Sequence, residues 1–175
     1  MCQTIIMGEE SNAKWEGKAI AEIPKNSAEQ VWPYIEDFCN IHKLIPLDIC
    51  NKVEGIEGQA GLIRYCATTI KGEGEGDDAE IKIKNWANEK LLIIDPVQRY
   101  LSYEVGENNM GFKSYVATMK VLATNEDAKV GGCKIEWGFV CDPVEGWRFQ
   151  DLNSYVEFTL QGIANKIEAA ISEAI

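Results

Sequence analysis

The sequence lacks the residue spacings that mark metal centres, disulfide frameworks and membrane spans. It contains one histidine, His42, and six cysteines spread singly with no C-x-x-C pair, so no zinc-binding spacing is present. No apolar run approaches the roughly 18 residues of a membrane-spanning helix, and the first residues hold no apolar stretch of signal-peptide length. We therefore expect a cytoplasmic protein with free thiols that uses neither a metal nor another cofactor.

Positive charge is also scarce. The 175 residues include 17 Lys and Arg against 28 Asp and Glu, a net charge of −11. Such a surface repels phosphate backbones and anionic lipid headgroups, so we expect neither nucleic acid nor a membrane as a partner. A Ser-His-Asp or Cys-His catalytic centre would have to use His42, and nothing near it favours one.

The order of periodic segments predicts an α+β fold. We expect residues 1–12 to be a flexible N-terminus and 13–175 to form a single domain. A first strand is followed by two short helices, the first of which begins at a Ser27/Gln30 capping box and the second of which covers 40–44. Alternating or apolar strand segments are predicted at 13–23, 49–54, 61–70, 79–86, 89–95, 99–105, 112–123 and 133–141.

The last 25 residues change to helical periodicity, with apolar residues at i, i+3 and i+4 spacing. This long helix is the one predicted element large enough to cover a meandering antiparallel sheet of about seven strands. A curved sheet that closes on one helix can leave a hollow between them. The predicted stripe of this helix consists of Leu152, Tyr155, Val156, Leu160, Ile163, Ile167 and Ile171.

Arg64 is an unusual charge within a strand-forming run. Alternation places Arg64, Cys66 and Thr68 on one face of the strand. The arginine either extends along the sheet to reach water or points into a cavity where it needs an anionic partner, and the strand alone leaves both possibilities open.

Aromatic residues with polar tips share one face of the late strands. Tyr103, Tyr115 and Trp137 are predicted to lie on the same side of three consecutive strands, as core aromatics or as a pocket wall. The Gly-rich acidic segment at 71–80 is either a solvated loop or a lid over the mouth of a cavity.

Eight short stretches, in order and at similar spacing, resemble the Bet v 1/START-type helix-grip proteins of plants. Within that superfamily they resemble the polyketide-cyclase and abscisic-acid-receptor-like branch, and the lachrymatory factor synthase group in particular. The resemblance covers about 14–174 and rests on Lys14-Trp-Glu-Gly-Lys, Glu29-Gln-Val-Trp-Pro, Asp37-Phe-Cys-Asn-Ile-His-Lys, Gly61-Leu-Ile-Arg-Tyr, Asn88-Glu-Lys-Leu, Tyr115-Val-Ala-Thr-Met, Glu136-Trp-Gly-Phe-Val-Cys and Gln161-Gly-Ile-Ala-Asn-Lys-Ile-Glu.

The resemblance implies a curved sheet wrapped on the C-terminal helix and a set of pocket residues. The family's catalytic arginine, glutamate and two tyrosines correspond to Arg64, Glu89, Tyr103 and Tyr115, and its pocket tryptophan to Trp137. Neighbours on the same predicted faces add further substrate-binding candidates, namely Cys66, Leu101, Met119, Phe139 and Tyr155.

The resemblance also implies a cofactor-free enzyme, a monomer or weak dimer that holds a small hydrophobic or polar metabolite in an internal cavity. Lachrymatory factor synthases rearrange an alkenyl sulfenic acid to a thial S-oxide. Hydroxynitrile lyases of a similar fold and non-catalytic ligand carriers or receptors are the alternatives. The abscisic-acid receptors' gate and latch motifs are not found, since the corresponding segments read Lys71-Gly-Glu-Gly-Glu-Gly76 and Asn109-Met-Gly111.

Overall fold

The computed structural model describes residues 13–73 and 79–175. The predicted flexible N-terminus and the tip of the predicted 71–80 lid lie outside these residues. The chain contains β1 (Trp15–Ile23), α1 (Ala28–Glu36), a 3₁₀ helix (Phe38–Lys43), β2 (Ile49–Glu54), β3 (Ile63–Lys71), β4 (Ile81–Asp95), β5 (Tyr100–Asn108), β6 (Tyr115–Ala123), β7 (Cys133–Cys141) and α2 (Phe149–Glu173).

The strands form one curled antiparallel sheet of seven strands in the order β1-β7-β6-β5-β4-β3-β2. Every neighbouring pair is antiparallel, and β1 closes the meander by pairing with β7 along its whole length. The two helices after β1 carry the chain from one edge of the sheet to the other. The predicted α+β helix-grip fold, with two short helices after the first strand, is confirmed.

The capping box predicted for α1 is present. The Ser27 hydroxyl accepts a hydrogen bond from the backbone N–H of Gln30, and the Gln30 side chain accepts one from the backbone N–H of Ser27. Pro33 lies inside the helix without ending it, and Val31, Trp32 and Ile35 are buried beneath it. These contacts hold α1 against the core next to the 3₁₀ helix.

The prediction of separate strands at 79–86 and 89–95 is wrong, because both belong to β4. The register of β4 against β5 shifts between Ala87 and Glu89 and again between Leu91 and Ile93. A register shift arises where one strand carries an extra residue relative to its partner. Such a residue breaks the apolar alternation in the sequence without ending the hydrogen-bonded ladder. The first part of β4 extends beyond the core, since Ile81 and Ile83 are 68% and 44% exposed.

Helix α2 covers the concave side of the sheet. Its 25 residues bury Leu152, Val156, Leu160, Ile163 and Ile167, as the stripe predicted, whereas Tyr155 of the same predicted stripe is half exposed. Over the described ranges, no helix combines the length and apolar character needed to cross a membrane.

Candidate active site

A cavity of about 440 Å³ lies between the concave face of the sheet and α2. A volume of this size suits a small metabolite. The α1/3₁₀ connection closes one side of it with Ile35, Phe38, Ile41, Ile45 and Leu47. The sheet side is formed mainly by Arg64, Cys66, Ala67, Thr68, Trp86, Ala87, Glu89, Leu101, Tyr103, Val105, Tyr115, Met119 and Trp137.

Arg64 points into this cavity and pairs with Glu89. The two residues are direct partners across the antiparallel β3–β4 pair, so the sheet register itself brings them together. Arg64 Nε donates to Glu89 Oε2 at 2.7 Å, and Arg64 Nη2 lies 2.5 Å from the same oxygen. Arg64 is 5% exposed, which excludes the alternative that its side chain reaches solvent.

Phe38, at the start of the 3₁₀ helix, contacts the guanidinium of Arg64 in two ways. Its backbone carbonyl accepts a hydrogen bond from Arg64 Nη1 at 2.5 Å, and its ring centroid lies 3.8 Å from Arg64 Cζ. The ring of Tyr103 lies 5.2 Å from the same carbon. Both aromatic faces attract the cation. Burial alone would lower the pKa of Arg64, but the Glu89 carboxylate outweighs it and the pKa is raised.

Some hydrogen-bonding groups of the ion pair are not used by the described residues. A guanidinium carries five N–H groups, and three of those of Arg64 are engaged by Glu89 and Phe38. Both contacts from Arg64 end on Oε2 of Glu89, so within the described part of the chain Oε1 accepts no hydrogen bond. The pair therefore offers a ligand two further N–H donors and one carboxylate oxygen that can accept a proton.

Tyr103 and Tyr115 line the cavity beside this pair. Burial raises the pKa of both phenols, and the nearby Glu89 carboxylate raises each further. Both side chains consequently remain protonated at physiological pH. In the residues that the structure describes, neither hydroxyl has a hydrogen-bond partner, so both are available as donors to a ligand.

Most of the predicted substrate-binding residues also reach the cavity wall. Cys66, Leu101, Met119 and Trp137 line it and are buried, and the half-exposed Tyr155 lines it from α2.

The structure corrects one residue of that set, because Phe139 does not line the cavity. Its ring stacks on Tyr115, with centroids 5.9 Å apart, and contacts Phe149 at the start of α2. Phe139 shares the inward face of β7 with Trp137, but α2 covers that end of the strand. Phe139 therefore packs against the Tyr115 ring rather than lining the cavity.

The cavity also includes residues outside the predicted set of site residues. Asn109, Met110 and Trp147 line it and are at least partly exposed. Asn109 is fixed by a hydrogen bond from Trp86 N to its Oδ1 at 2.7 Å and by one from its Nδ2 to Lys84 O at 2.9 Å. These residues lie in connections after β5 and before α2, where no periodic pattern marks an inward face. Among residues 13–73 and 79–175, no cluster of three or more His, Cys, Asp or Glu side chains could hold a metal ion.

Thr68, on the same strand face as Arg64, carries a buried hydroxyl that has no hydrogen-bond partner among the described residues. An unmatched buried hydroxyl costs about 1–3 kcal/mol. We expect Thr68→Val to raise the free energy of unfolding by about 1 kcal/mol, because the shape is kept and the unmatched group is removed. Urea denaturation of the ligand-free protein measures this change.

Ser102 supplies the matched control. It is also buried in a strand, but its hydroxyl donates to Ala117 O at 2.9 Å. Ser102→Ala should therefore lower the free energy of unfolding by about 1 kcal/mol. A loss of stability in Thr68→Val as large as in Ser102→Ala would show that the Thr68 hydroxyl has a partner in solution.

Comparison with known families places the fold and the cavity in context. A sequence model described as "Polyketide cyclase / dehydrase and lipid transport" matches residues 19–171, which is most of the chain. The matched region begins within β1 and ends near the C-terminus of α2, so it includes every strand and helix that lines the cavity.

Solved structures share the fold at low sequence identity. Norcoclaurine synthase from Thalictrum flavum, determined as a point mutant with a transition-state analogue, is similar with a TM-score of 0.65 and 17% identity, over 94% of this chain and 98% of that one. Major latex-like protein 151 from Panax ginseng has a TM-score of 0.62 and 22% identity, over 89% and 97%. XoxI from Bacillus cereus has a TM-score of 0.62 and 19% identity, over 89% and 94%.

Proposed function

Because the chain belongs to the polyketide cyclase / dehydrase and lipid transport family, we propose that it is a cofactor-independent enzyme that moves a proton on a small molecule held in its cavity. Arg64, Glu89, Tyr103 and Tyr115 are the catalytic residues in this proposal, and Cys66, Leu101, Met119, Trp137 and Tyr155 contact the substrate. The reaction is an isomerisation or lyase reaction of the lachrymatory factor synthase type.

The observation that carries the proposal is the Arg64–Glu89 pair inside the cavity. A guanidinium and a carboxylate that are partly withdrawn from water offer a positive site and a proton acceptor within one hydrogen-bonded unit. Because Arg64 binds only Oε2 of Glu89, the second carboxylate oxygen is left for the substrate.

The proposed roles follow from the charges and protonation states. Glu89 accepts the proton of an acidic group, and the remaining N–H groups of Arg64 stabilise negative charge on the oxygen that loses it. Tyr103 and Tyr115 stay protonated and donate hydrogen bonds. With an alkenyl sulfenic acid, this transfer would move the S–O–H proton to the carbon chain and yield a thial S-oxide.

A ligand carrier is the second candidate, and one observation favours it. The protein itself already occupies three N–H groups of Arg64, two through Glu89 and one through the Phe38 carbonyl. A buried ion pair with this degree of internal bonding is also what a purely structural pair would show.

A substrate panel separates the two candidates. The panel contains an alkenyl sulfenic acid generated in situ, a cyanohydrin and an enolisable ketone, and product formation is followed beside calorimetric binding of stable analogues. We expect thial S-oxide to form faster than without protein, and conversion of the cyanohydrin alone would indicate a hydroxynitrile lyase instead. Binding of the analogues with no conversion of any compound would establish the carrier and rule out the enzyme.

A further inference from the structure

Two thiols lie against the cavity and take no part in the proton transfer proposed above. Cys50 on β2 and Cys66 on β3 are direct partners in the antiparallel register, and their Sγ atoms are 3.6 Å apart. Cys66 lines the cavity two positions after Arg64, whereas Cys50 lies behind it. Both side chains are buried, at 6% and 9% exposure.

The backbone is already placed for a bond between these sulfur atoms. Directly opposed residues in an antiparallel pair have Cα atoms about 4.5–5.5 Å apart, and disulfides span about 4.4–6.8 Å between Cα atoms. Closing the 3.6 Å gap between the sulfur atoms therefore needs rotation of the two side chains but no change in strand register.

The surroundings favour a thiolate at this pair. The hydrogen bond with Cys66 lowers the pKa of Cys50, the nearby Arg64 and His42 lower it further, and burial opposes the shift. The pKa of Cys66 is raised by that same hydrogen bond and by burial. Either sulfur can be the donor of this hydrogen bond.

We propose that Cys50 and Cys66 form a reactive dithiol site for small molecules that carry an electrophilic divalent sulfur, such as sulfenic acids and thiosulfinates. In the first step the Cys50 sulfur draws the Cys66 proton across the 3.6 Å contact while a sulfur–sulfur bond forms between Cys66 and the ligand. The bond from the ligand sulfur to its leaving group breaks, and that group departs with the proton that the pair releases. From a sulfenic acid, R–S–OH, the leaving group departs as water.

In the second step Cys50 attacks the Cys66 sulfur, and the ligand leaves as the thiol R–SH, which takes the Cys50 proton. The two cysteine thiols are thereby oxidised to one disulfide, and the ligand sulfur is reduced by two electrons. The order follows from position, because Cys66 lines the cavity and Cys50 does not.

The other described cysteines do not share this arrangement. Burial raises the pKa of Cys39, Cys133 and Cys141, and none of the three lines the cavity. The dithiol site does not depend on the proposed proton transfer, since its reaction needs an electrophilic sulfur and no alkenyl group.

The test treats the reduced protein with S-methyl methanethiosulfonate, a small compound with an electrophilic sulfur and a sulfinate leaving group. The protein is then quenched in acid, digested without reductant and mapped by mass spectrometry. We expect the wild type to yield peptides joined through Cys50 and Cys66, with one methanethiol released for each disulfide formed. Cys50→Ala should stop at a methylthio group on Cys66, and Cys66→Ala should leave Cys50 unmodified.

Cys133→Ala is the control, and it should form the Cys50–Cys66 disulfide to the same extent as the wild type. Three outcomes would each overturn the proposal. Cys66 could stay a thiol in the wild type, it could form a disulfide with Cys39 instead, or Cys50 could be labelled equally with and without Cys66. If a variant does not fold, the peptide map of the wild type alone tests the proposal. Glu89→Gln should still form the disulfide, which separates this site from failure of the proton-transfer mechanism.

Discussion

Replacing Arg64 by leucine should reduce turnover of the substrate by at least about a hundredfold, because the developing negative charge loses its cationic partner. The change should also lower the free energy of unfolding by roughly 3–5 kcal/mol. Leucine cannot bond the Phe38 carbonyl, and it leaves Glu89, whose side chain is 17% exposed, without its counter-ion. Steady-state kinetics and urea denaturation measure the two effects separately.

Lys52→Gln is the matched control for this loss of positive charge. Lys52 lies directly opposite Arg64 in the β2–β3 register but is exposed, so neither activity nor stability should change measurably. A folded Arg64→Leu protein with wild-type turnover would rule out the proposed role of the arginine. Equal losses in Arg64→Leu and Lys52→Gln would instead indicate a general effect of the protein's net charge.

Replacing Glu89 by glutamine should lower turnover by about a hundredfold to ten-thousandfold, the range associated with loss of a general base. The amide keeps the size and one acceptor oxygen of the carboxylate but cannot take a proton at neutral pH. Arg64 would remain buried, with the Phe38 carbonyl and the new amide as neutral partners. We therefore expect the loss in kcat to exceed any change in KM, with binding of a neutral analogue retained.

Glu107→Gln provides the corresponding control, because Glu107 lies on the neighbouring strand β5 and is exposed. Its kinetics should match those of the wild type. If Glu89→Gln keeps full kcat while Arg64→Leu loses it, the arginine binds the substrate electrostatically and the carboxylate is not the base.

Strand and helix periodicities predicted the fold closely because the fold depends on which faces are apolar. Alternation located β7 at its observed limits, and the i, i+3, i+4 stripe located α2. The same argument divided β4 in two, since a register shift near Ala87 disturbs alternation just as a strand end would. Periodicity also assigns a residue to a face of the strand without showing what covers that face. Phe139 was therefore grouped with Trp137, although α2 packs over Phe139 and the cavity adjoins Trp137.

The candidate site was less accessible to sequence reasoning. Arg64 and Glu89 are 25 positions apart, and no local spacing connects them. Their pairing came from the family resemblance, and the β3–β4 register brings them into contact. The Phe38 carbonyl could not have been identified, because every residue carries this acceptor and only the path of the chain decides which one meets the guanidinium.

The contacts of Phe38 connect the segment between the two edge strands, β1 and β2, to Arg64 in β3. The 3₁₀ helix lies on the covalent path from β1 to β2, and its first residue bonds a cation at the centre of the fold. Local opening of that helix would withdraw both the carbonyl and the ring from Arg64, which raises the free energy of the opened state. Amide hydrogen exchange in this short helix should accordingly be as slow as in the neighbouring strand β3.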